Sequence, residues 1–533
     1  MGNRIQVAAV FAVLATAFAG AGQNVPKRWW GHMQALASDE TEGREPGTPG
    51  YDRSAEYVEK QFRVLGLSPA GTTGFRQPVQ LVSRLLDEAR TSLSLARRDR
   101  VRRLDAATEA YVTPTSDLVA SGEFQLVFVG HGLTIPQLGI RDLEGVDLKG
   151  KVAVFIHAAP RRALGPVASQ AQRVDKRWPA MRAAGAVGYV TLATPRDLEE
   201  LPWDRTAEVR HATDLDFADP ELNSSRGWQS GAIFVNPAAA EPWFEGSGHT
   251  FAEILADTEA DRPLPRFPLA VSLRVTSGQT VKNISSDNLI AKLDGTDERL
   301  RNQFVVLSAH LDALGVGTPV KGDRIYNGAL DNASGVATVL ELAARLVSGP
   351  RLRRSVLFFI PTGEEQGLIG SEYFVHRPTV PLRSMVANLN FDILRTYLPW
   401  KAYVGYGAEE SDLDDDVRAV AKAAGVAVVP DPHPEANLFT RSDQYNFVKA
   451  GIPAVFGNIG FTAGSPEDRL LIEWQRDRYH APSDDLAQPF DGNTVRAFND
   501  FTEALLRRVG NRTEPPRWKP TSRFRPSNDR PTQ

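Results

Sequence analysis

Phe304-Val305-Val306-Leu307-Ser308-Ala309-His310-Leu311-Asp312 decides how the second half of this chain is built. A wholly apolar run that ends on a histidine and an aspartate reads as a buried strand delivering two polar side chains to its end. A second run of the same kind, Val356-Leu357-Phe358-Phe359-Ile360, follows downstream. Between them Val336, Val339, Leu340, Ala343, Leu346 and Val347 recur at helical spacing. Strand, crossover helix and strand in that order predict an α/β unit with parallel pairing, because parallel neighbours need a long return connection.

Each element of this unit ends on residues suited to metal chemistry. His310 and Asp312 alternate on an extended segment, so both face one site, and a carboxylate placed there can hold the second nitrogen of a metal-bound imidazole. Asp331, in Gly328-Ala329-Leu330-Asp331-Asn332-Ala333-Ser334-Gly335, stands directly before the helix. A carboxylate here can bridge two cations or cap the helix; if it bridges, Asn332 or Ser334 takes the cap. Thr362-Gly363-Glu364-Glu365-Gln366-Gly367 follows the second strand, and adjacent carboxylates pointing in different directions suit one metal ligand and one free base. Asp392 ends a third strand-like run, Met385-Val386-Ala387-Asn388-Leu389-Asn390-Phe391-Asp392, and His480 lies in a loop marked by Pro482. Taken singly, each of these residues is equally at home as a cap, a turn residue or a solvated loop residue. Strand ends of an α/β sheet, however, open onto a shared crevice. His32, His131, His157, His211, His249, His376 and His433 lack such acidic company and read as structural.

Composition bounds the alternatives. The 533 residues predict two or three domains, and a formal net charge of -4 gives no basic surface for nucleic acid. Zero cysteines exclude disulfides, thiol catalysis and Cys-ligated metal, so a metal site must use histidine and carboxylates. Residues 1–21 read as a signal peptide, with Arg4 before the apolar stretch Ile5 to Ala19 and cleavage near Ala19 or Ala21. Uncleaved, the same stretch would serve as an N-terminal anchor. No other segment is apolar enough to span a bilayer, so the mature protein is expected to be soluble, in a secreted or periplasmic location.

The texture of the chain then predicts its divisions. Residues 25–117 open a first domain, with a Gly/Pro-rich loop at Glu42-Gly43-Arg44-Glu45-Pro46-Gly47-Thr48-Pro49-Gly50 and a helix carrying Ala55, Val58, Phe62 and Leu65 that stops at Gly66. Residues 118–275 shift to short β runs such as Phe124 to Val129 and Val152 to Ile156, a separate β-rich module. Residues 280–510 carry the regular strand and helix alternation. Residues 511–533 alternate prolines with arginines and are expected to form a solvated, disordered tail.

Joined together, His310-Leu311-Asp312, Asp331-Asn332-Ala333-Ser334-Gly335, Gly363-Glu364-Glu365, Asn390-Phe391-Asp392 and Tyr479-His480-Ala481-Pro482 resemble the secreted bacterial leucyl aminopeptidase and glutamate carboxypeptidase family of co-catalytic zinc peptidases. The resemblance extends to Leu36-Ala37-Ser38-Asp39-Glu40 with Glu42-Gly43-Arg44, and to Arg441-Ser442-Asp443-Gln444-Tyr445 with Gly451-Ile452-Pro453. It implies a three-layer, mostly parallel α/β sheet flanked by helices. Asp147-Leu148-Lys149-Gly150-Lys151-Val152-Ala153 and Ala184-Gly185-Ala186-Val187-Gly188 look like the protease-associated domain often inserted in that family.

The resemblance also implies roles. His310 and Asp392 would bind one zinc, Glu365 and His480 a second, and Asp331 would bridge the two. Glu364 would be the general base, Asp312 the partner of His310, and Tyr479 a donor to the developing oxyanion. The expected activity is removal of N-terminal, apolar residues from peptide substrates by metal-activated water. A carboxypeptidase or glutaminyl-cyclase-like enzyme on the same fold stays open, as does a non-catalytic, transferrin-receptor-like binding protein, whose kind typically lacks the ligands. Gln444 stands where many relatives carry histidine, Arg441 is a possible carboxylate partner, and Tyr406, Tyr445 and Phe461 could line a side-chain pocket or pack in the core. Oligomeric state is not legible at this level.

Overall fold

In the computed structural model, residues 25–113, 121–160, 163, 174–226, 232–522 and 524–526 are described. The expected signal peptide over 1–21 lies outside them. The chain divides into one unit of Met1–Val79, Ser286–His433 and Arg441–Gln533, and another of Gln80–Ser285 with Pro434–Thr440.

The first unit is organised by the period-two alternation of its strands. Its sheet runs in the order β1 (Gln279–Leu293, in this unit from Ser286), β3 (Ser355–Ile360), β2 (Phe304–Ser308), β4 (Met385–Asn390), β7 (Ala454–Gly460), β5 (Ala402–Tyr406) and β6 (Ala427–Val428). The centre is parallel: Val306 is paired with Leu357 on one side and Asn388 on the other, and Leu389 with Val455. Antiparallel pairs of β1 with β3 and of β5 with β7 flank it. Val305 and Leu307 point to one face, where they pack with helices α1 (Lys27–Leu36), α3 (Ser334–Ser348) and α7 (Gly492–Asn511) through Trp29, Leu340 and Phe498. Phe304 and Val306 point to the other, against Phe374 and Phe447 of α4 (Ile369–His376) and α6 (Gln444–Lys449). Each fully buried aliphatic side chain contributes about 1.5–3 kcal/mol by leaving water, so a strand apolar on both faces is held from both. Helix α2 (Pro49–Val64) begins where the Thr48 hydroxyl accepts the Tyr51 N–H, with Pro49 at its first position.

The second unit starts earlier than the sequence suggested. Its sheet is ordered 100–104, 92–97, 267–276, 122–128, 152–156, 188–192, 232–235 and 110–112. The boundary expected near 118 falls at Gln80, because Leu95 pairs with Leu273 and Tyr111 with Phe234, pairings that no local pattern announces. The four strands 122–128, 152–156, 188–192 and 232–235 are parallel to one another, and helices 174–183 and 251–259 accompany them. The module is therefore mixed α/β in texture.

The tail also departs from expectation. Its described residues from 511 on lie along α5 (Leu413–Ala424) instead of being free in solvent. Arg512 meets Asp412 at 2.7 Å and Asp416 at 2.8 Å, and the Trp518 indole N–H donates to the Gly451 carbonyl at 2.8 Å. Arg354, with 0% exposure, donates to the carbonyls of Arg512 and Thr513. Arginines that cannot enter an apolar core find acidic partners at the start of α5, and that pairing orders the arm. Truncation after Asn511 is expected to cost about 2–4 kcal/mol by stranding a buried guanidinium. A denaturant midpoint equal to that of the full chain would show that the arm adds nothing.

Candidate metal centre

Three of the unit's strands and two loops deliver the predicted residues to one place. His310 follows β2, Asp392 follows β4, and the Glu364–Glu365 pair follows β3, all on the same edge of the parallel sheet. His310 Nε2 lies 3.2 Å from Asp392 Oδ1 and 3.3 Å from Asp331 Oδ1. His480 Nε2 lies 3.1 Å from Glu365 Oε2 and 3.5 Å from the other oxygen of Asp331. Asp331 therefore stands between two groups, His310–Asp331–Asp392 and Asp331–Glu365–His480, in each of which the ligand atoms lie within 4.8 Å of one another and could hold a metal ion. Glu364 belongs to neither group; its Oε2 is 3.9 Å from His310 Nε2.

The local chain explains these positions. Gly328 has a φ of +57°, and a Cβ there would come within 2.1 Å of the Asp331 carbonyl, so the turn that presents Asp331 requires glycine. Asn332 takes the cap, its Oδ1 accepting the Gly335 N–H at 3.0 Å while its Nδ2 donates to the Phe391 carbonyl beside Asp392. A Cβ on Gly335 would sit 2.3 Å from that Asn332 oxygen. Gly363 and Gly367, both at positive φ, fold the loop that carries Glu364 and Glu365. His480 itself adopts a left-handed backbone, φ +53°, a conformation that tertiary contacts must hold for a non-glycine residue.

Asp312 approaches His310 through its main chain as well as its side chain. The His310 Nδ1 contact is with the Asp312 carbonyl at 3.1 Å, whereas the carboxylate is 3.8 Å away and accepts the Glu365 N–H at 3.1 Å. The side chain thus ties the two strand ends together. Asp484 was not singled out by sequence reasoning, yet its two oxygens accept the backbone N–H groups of Leu330 at 2.9 Å and Asp331 at 3.0 Å. Its place four residues after His480 is the one sequence signal it leaves. Arg44, quoted only within a resembling motif, is buried beneath the site and donates to the carbonyls of Leu311, Leu36, Asn327 and Gly328.

The electrostatics are those of too many carboxylates. Burial pushes the Glu364 carboxyl well above its ordinary range; His310 opposes this, and Asp392 and Glu365 reinforce it. Burial likewise raises Glu365, with Asp331 adding to it, and lifts Asp443 to about 7. Burial alone would lower His480, but Glu365 and Asp331 raise it to about 10. A dense set of buried acids shared by two imidazoles has the donor chemistry of hard and borderline divalent cations, and a buried carboxylate without a cation is costly.

The remaining candidates separate clearly. Tyr479 stacks on His480 with ring centroids 3.8 Å apart, and its hydroxyl accepts from Arg441 at 3.4 Å. Gln444 is buried, its oxygen accepting from Asn390 at 2.8 Å, so it supports β4 from below. Tyr406, Tyr445 and Phe461 are all core residues.

Parts of the chain are similar to known proteins. Over 226 residues the chain is 30% identical to a probable lipoprotein aminopeptidase, LpqL, of Mycobacterium tuberculosis, a match covering 37% of this chain and 41% of that protein. The chain thus matches well under half the length of this relative. The structure of an aminopeptidase from Aneurinibacillus sp. strain AM-1 superposes with a TM-score of 0.56 at 17% identity, over 93% of this chain and 96% of the other. A zinc aminopeptidase from Bacillus subtilis superposes with a TM-score of 0.50 at 16% identity, over 92% and 96%. These two show a shared fold. Residues 288–506, which include every residue of both ligand groups, match the model of Peptidase family M28.

Proposed function

We propose that this protein is a secreted two-zinc aminopeptidase, and the observation that carries the reading is Asp331 standing between two ligand groups. His310 and Asp392 would hold one ion, Glu365 and His480 the other, and Asp331 both. When bound, a zinc pair supplies Lewis-acid polarisation of the scissile carbonyl and acidifies water. Everything else is done by the chain. Glu364, beside both groups but a member of neither, takes a proton from the attacking water and returns it to the departing amine. Its raised affinity for protons, set first by burial, suits a base that must later act as an acid. Burial pushes the Tyr479 hydroxyl well above its ordinary value, so it stays protonated at neutral pH and can donate to the oxyanion. The aminopeptidase relatives support cleavage at the N-terminal side, and peptides as substrates.

The reading of the other parts rests on sequence. Residues 1–21 support export, and among the described residues no helix is long and apolar enough to cross a membrane. The second unit is read as the protease-associated insertion on the stretches 147–153 and 184–188.

Chelation of the purified protein should abolish hydrolysis of leucyl anilide, and added zinc should restore it; hydrolysis that survives full metal removal would exclude the reading. Glu364→Gln should lower kcat at least about 10²-fold with bound zinc retained, on the scale of lost acid-base catalysis. Near-normal turnover would remove Glu364 from the mechanism. An N-acyl dipeptide should be left intact, since cleavage of it marks a carboxypeptidase. Asp484→Ala should weaken zinc binding by about 10–100-fold, the usual range for groups that orient ligands; calorimetry showing unchanged affinity would reduce Asp484 to a packing residue.

A further inference from the structure

We infer that the second unit carries a binding site of its own, a cavity at the seam of its sheet that takes the free carboxyl end of a peptide whose last residue is apolar. The inference is independent of the metal centre and of the activity proposed for it.

The topology makes the seam. Strands 100–104 and 110–112 are the outermost members of this unit's sheet, at opposite ends of its order, yet residues 105–109 alone separate them in sequence. That segment is a tight turn in which the Asp105 carbonyl accepts the N–H groups of Glu109 at 2.9 Å and Ala110 at 3.2 Å. The two outer strands are thereby brought side by side, and the sheet curls back on itself. Among the described residues they do not pair with each other: 100–104 is bonded to 92–97, and 110–112 to 232–235. Main-chain groups along both edges are left facing the gap, the arrangement that lets an extended peptide add to a sheet.

A cavity of about 500 Å³ opens at this seam, a volume inside the range of roughly 300–1,000 Å³ that suits small ligands. Leu86, Leu93, Leu104 and Val112, all members of the unit's core, give it an apolar wall. The charged groups that line it differ in what they already hold. Glu88 meets Arg210 at 2.6 Å, Glu109 meets Arg102, and the Asp105 carboxylate accepts the N–H groups of Ala107 at 3.1 Å and Thr108 at 2.8 Å. Arg103 also lines the cavity, is exposed, and among the described residues meets no carboxylate. Tyr111 adds a hydroxyl that makes no hydrogen bond among the described residues; burial pushes it well above its ordinary range, so it stays a donor at neutral pH. An unengaged guanidinium beside an apolar hollow matches a carboxylate carried on an apolar body. A peptide end supplies both, and its main chain offers the edge strands the partners they lack, whereas a hydrocarbon chain would leave those groups unpaired. Where a peptide continues, a neutral amide stands in place of the carboxylate, so the site distinguishes chain ends by charge.

Calorimetry on the full chain tests this with acetyl-Gly-Ala-Leu, whose blocked amine bars it as an aminopeptidase substrate. The free acid should bind saturably below about 1 mM, and the same peptide ending in a carboxamide at least about tenfold more weakly, the scale of one charge-assisted hydrogen bond. Acetyl-Gly-Ala-Gly should also bind at least about tenfold more weakly, since it buries no apolar side chain. Arg103→Gln should bring the ratio of acid to amide towards one, Arg103→Lys should keep part of it, and added salt should shrink it. Chelation of metal should leave all of these affinities unchanged. The inference is overturned by an acid that does not bind, by a ratio that survives Arg103→Gln, or by equal binding of the leucine and glycine peptides. Binding lost on chelation would place the peptide at the metal centre, and decanoate binding more tightly than the peptide would make the ligand a lipid; either result overturns it too.

Discussion

One buried guanidinium holds the centre of this protein in register. Arg44 is completely enclosed, and its donors reach the Leu311 carbonyl at 2.7 Å, Leu36 at 2.6 Å, Asn327 at 2.5 Å and Gly328 at 2.9 Å. Those carbonyls come from the segment between His310 and Asp312, from the end of α1, and from the turn that leads into Asp331. Separate stretches of chain are thus fixed to one planar group. A guanidinium taken out of water costs several kcal/mol, and here charged hydrogen bonds of about 1.5–3 kcal/mol each offset that cost. Burial depresses its pKa to about 10, and the nearby Asp312, Asp484, Asp331 and Glu365 counter the depression, so Arg44 stays charged at neutral pH. The same charge offsets part of the repulsion among the carboxylates above it.

The candidate centre follows from that support. Its carboxylates are oriented by backbone amides and neighbouring carbonyls more than by each other: Asp484 grips the amides of Leu330 and Asp331, and Asp312 grips that of Glu365. Such contacts hold a ligand side chain in place without consuming its own oxygens. The loops that achieve this depend on glycine at Gly328 and Gly335, where any Cβ would strike a neighbouring oxygen at under 3 Å. A strained backbone at His480 belongs to the same pattern, since functional groups held in unusual conformations need surroundings that over-determine them.

What could be read in advance followed a physical rule. The strand, helix and strand around His310 were legible because an apolar run and a 3.6-residue period are local signals, and the pairing of β2 with β3 is parallel as that order requires. That Asn332 or Ser334 takes the cap followed from giving Asp331 another task, and the structure gives it to Asn332. The start of the second unit at Gln80 was not legible, because Leu95 pairs with a strand that lies far along the chain. The contacts of the proline and arginine tail are illegible for a related reason. Its composition forbids a core, but it says nothing about the acids at Asp412 and Asp416 that order it. Asp312 shows a third case: its side chain and its carbonyl are both polar, and only geometry tells which of them meets His310.

By itself, the sequence determined the type of each central element and the identity of the acids and imidazoles at their ends, since backbone periodicity and side-chain chemistry are properties of short segments. Tertiary structure alone decided which oxygen of Asp331 faces which histidine, that Asp484 and Arg44 hold the backbone beneath it, and that Gln444 accepts from Asn390 of a central strand. The reason is distance along the chain. Arg44, Leu311, Asp331 and Asp484 become neighbours only when the sheet closes, and contacts of a few ångströms between remote residues leave no periodic trace in the sequence.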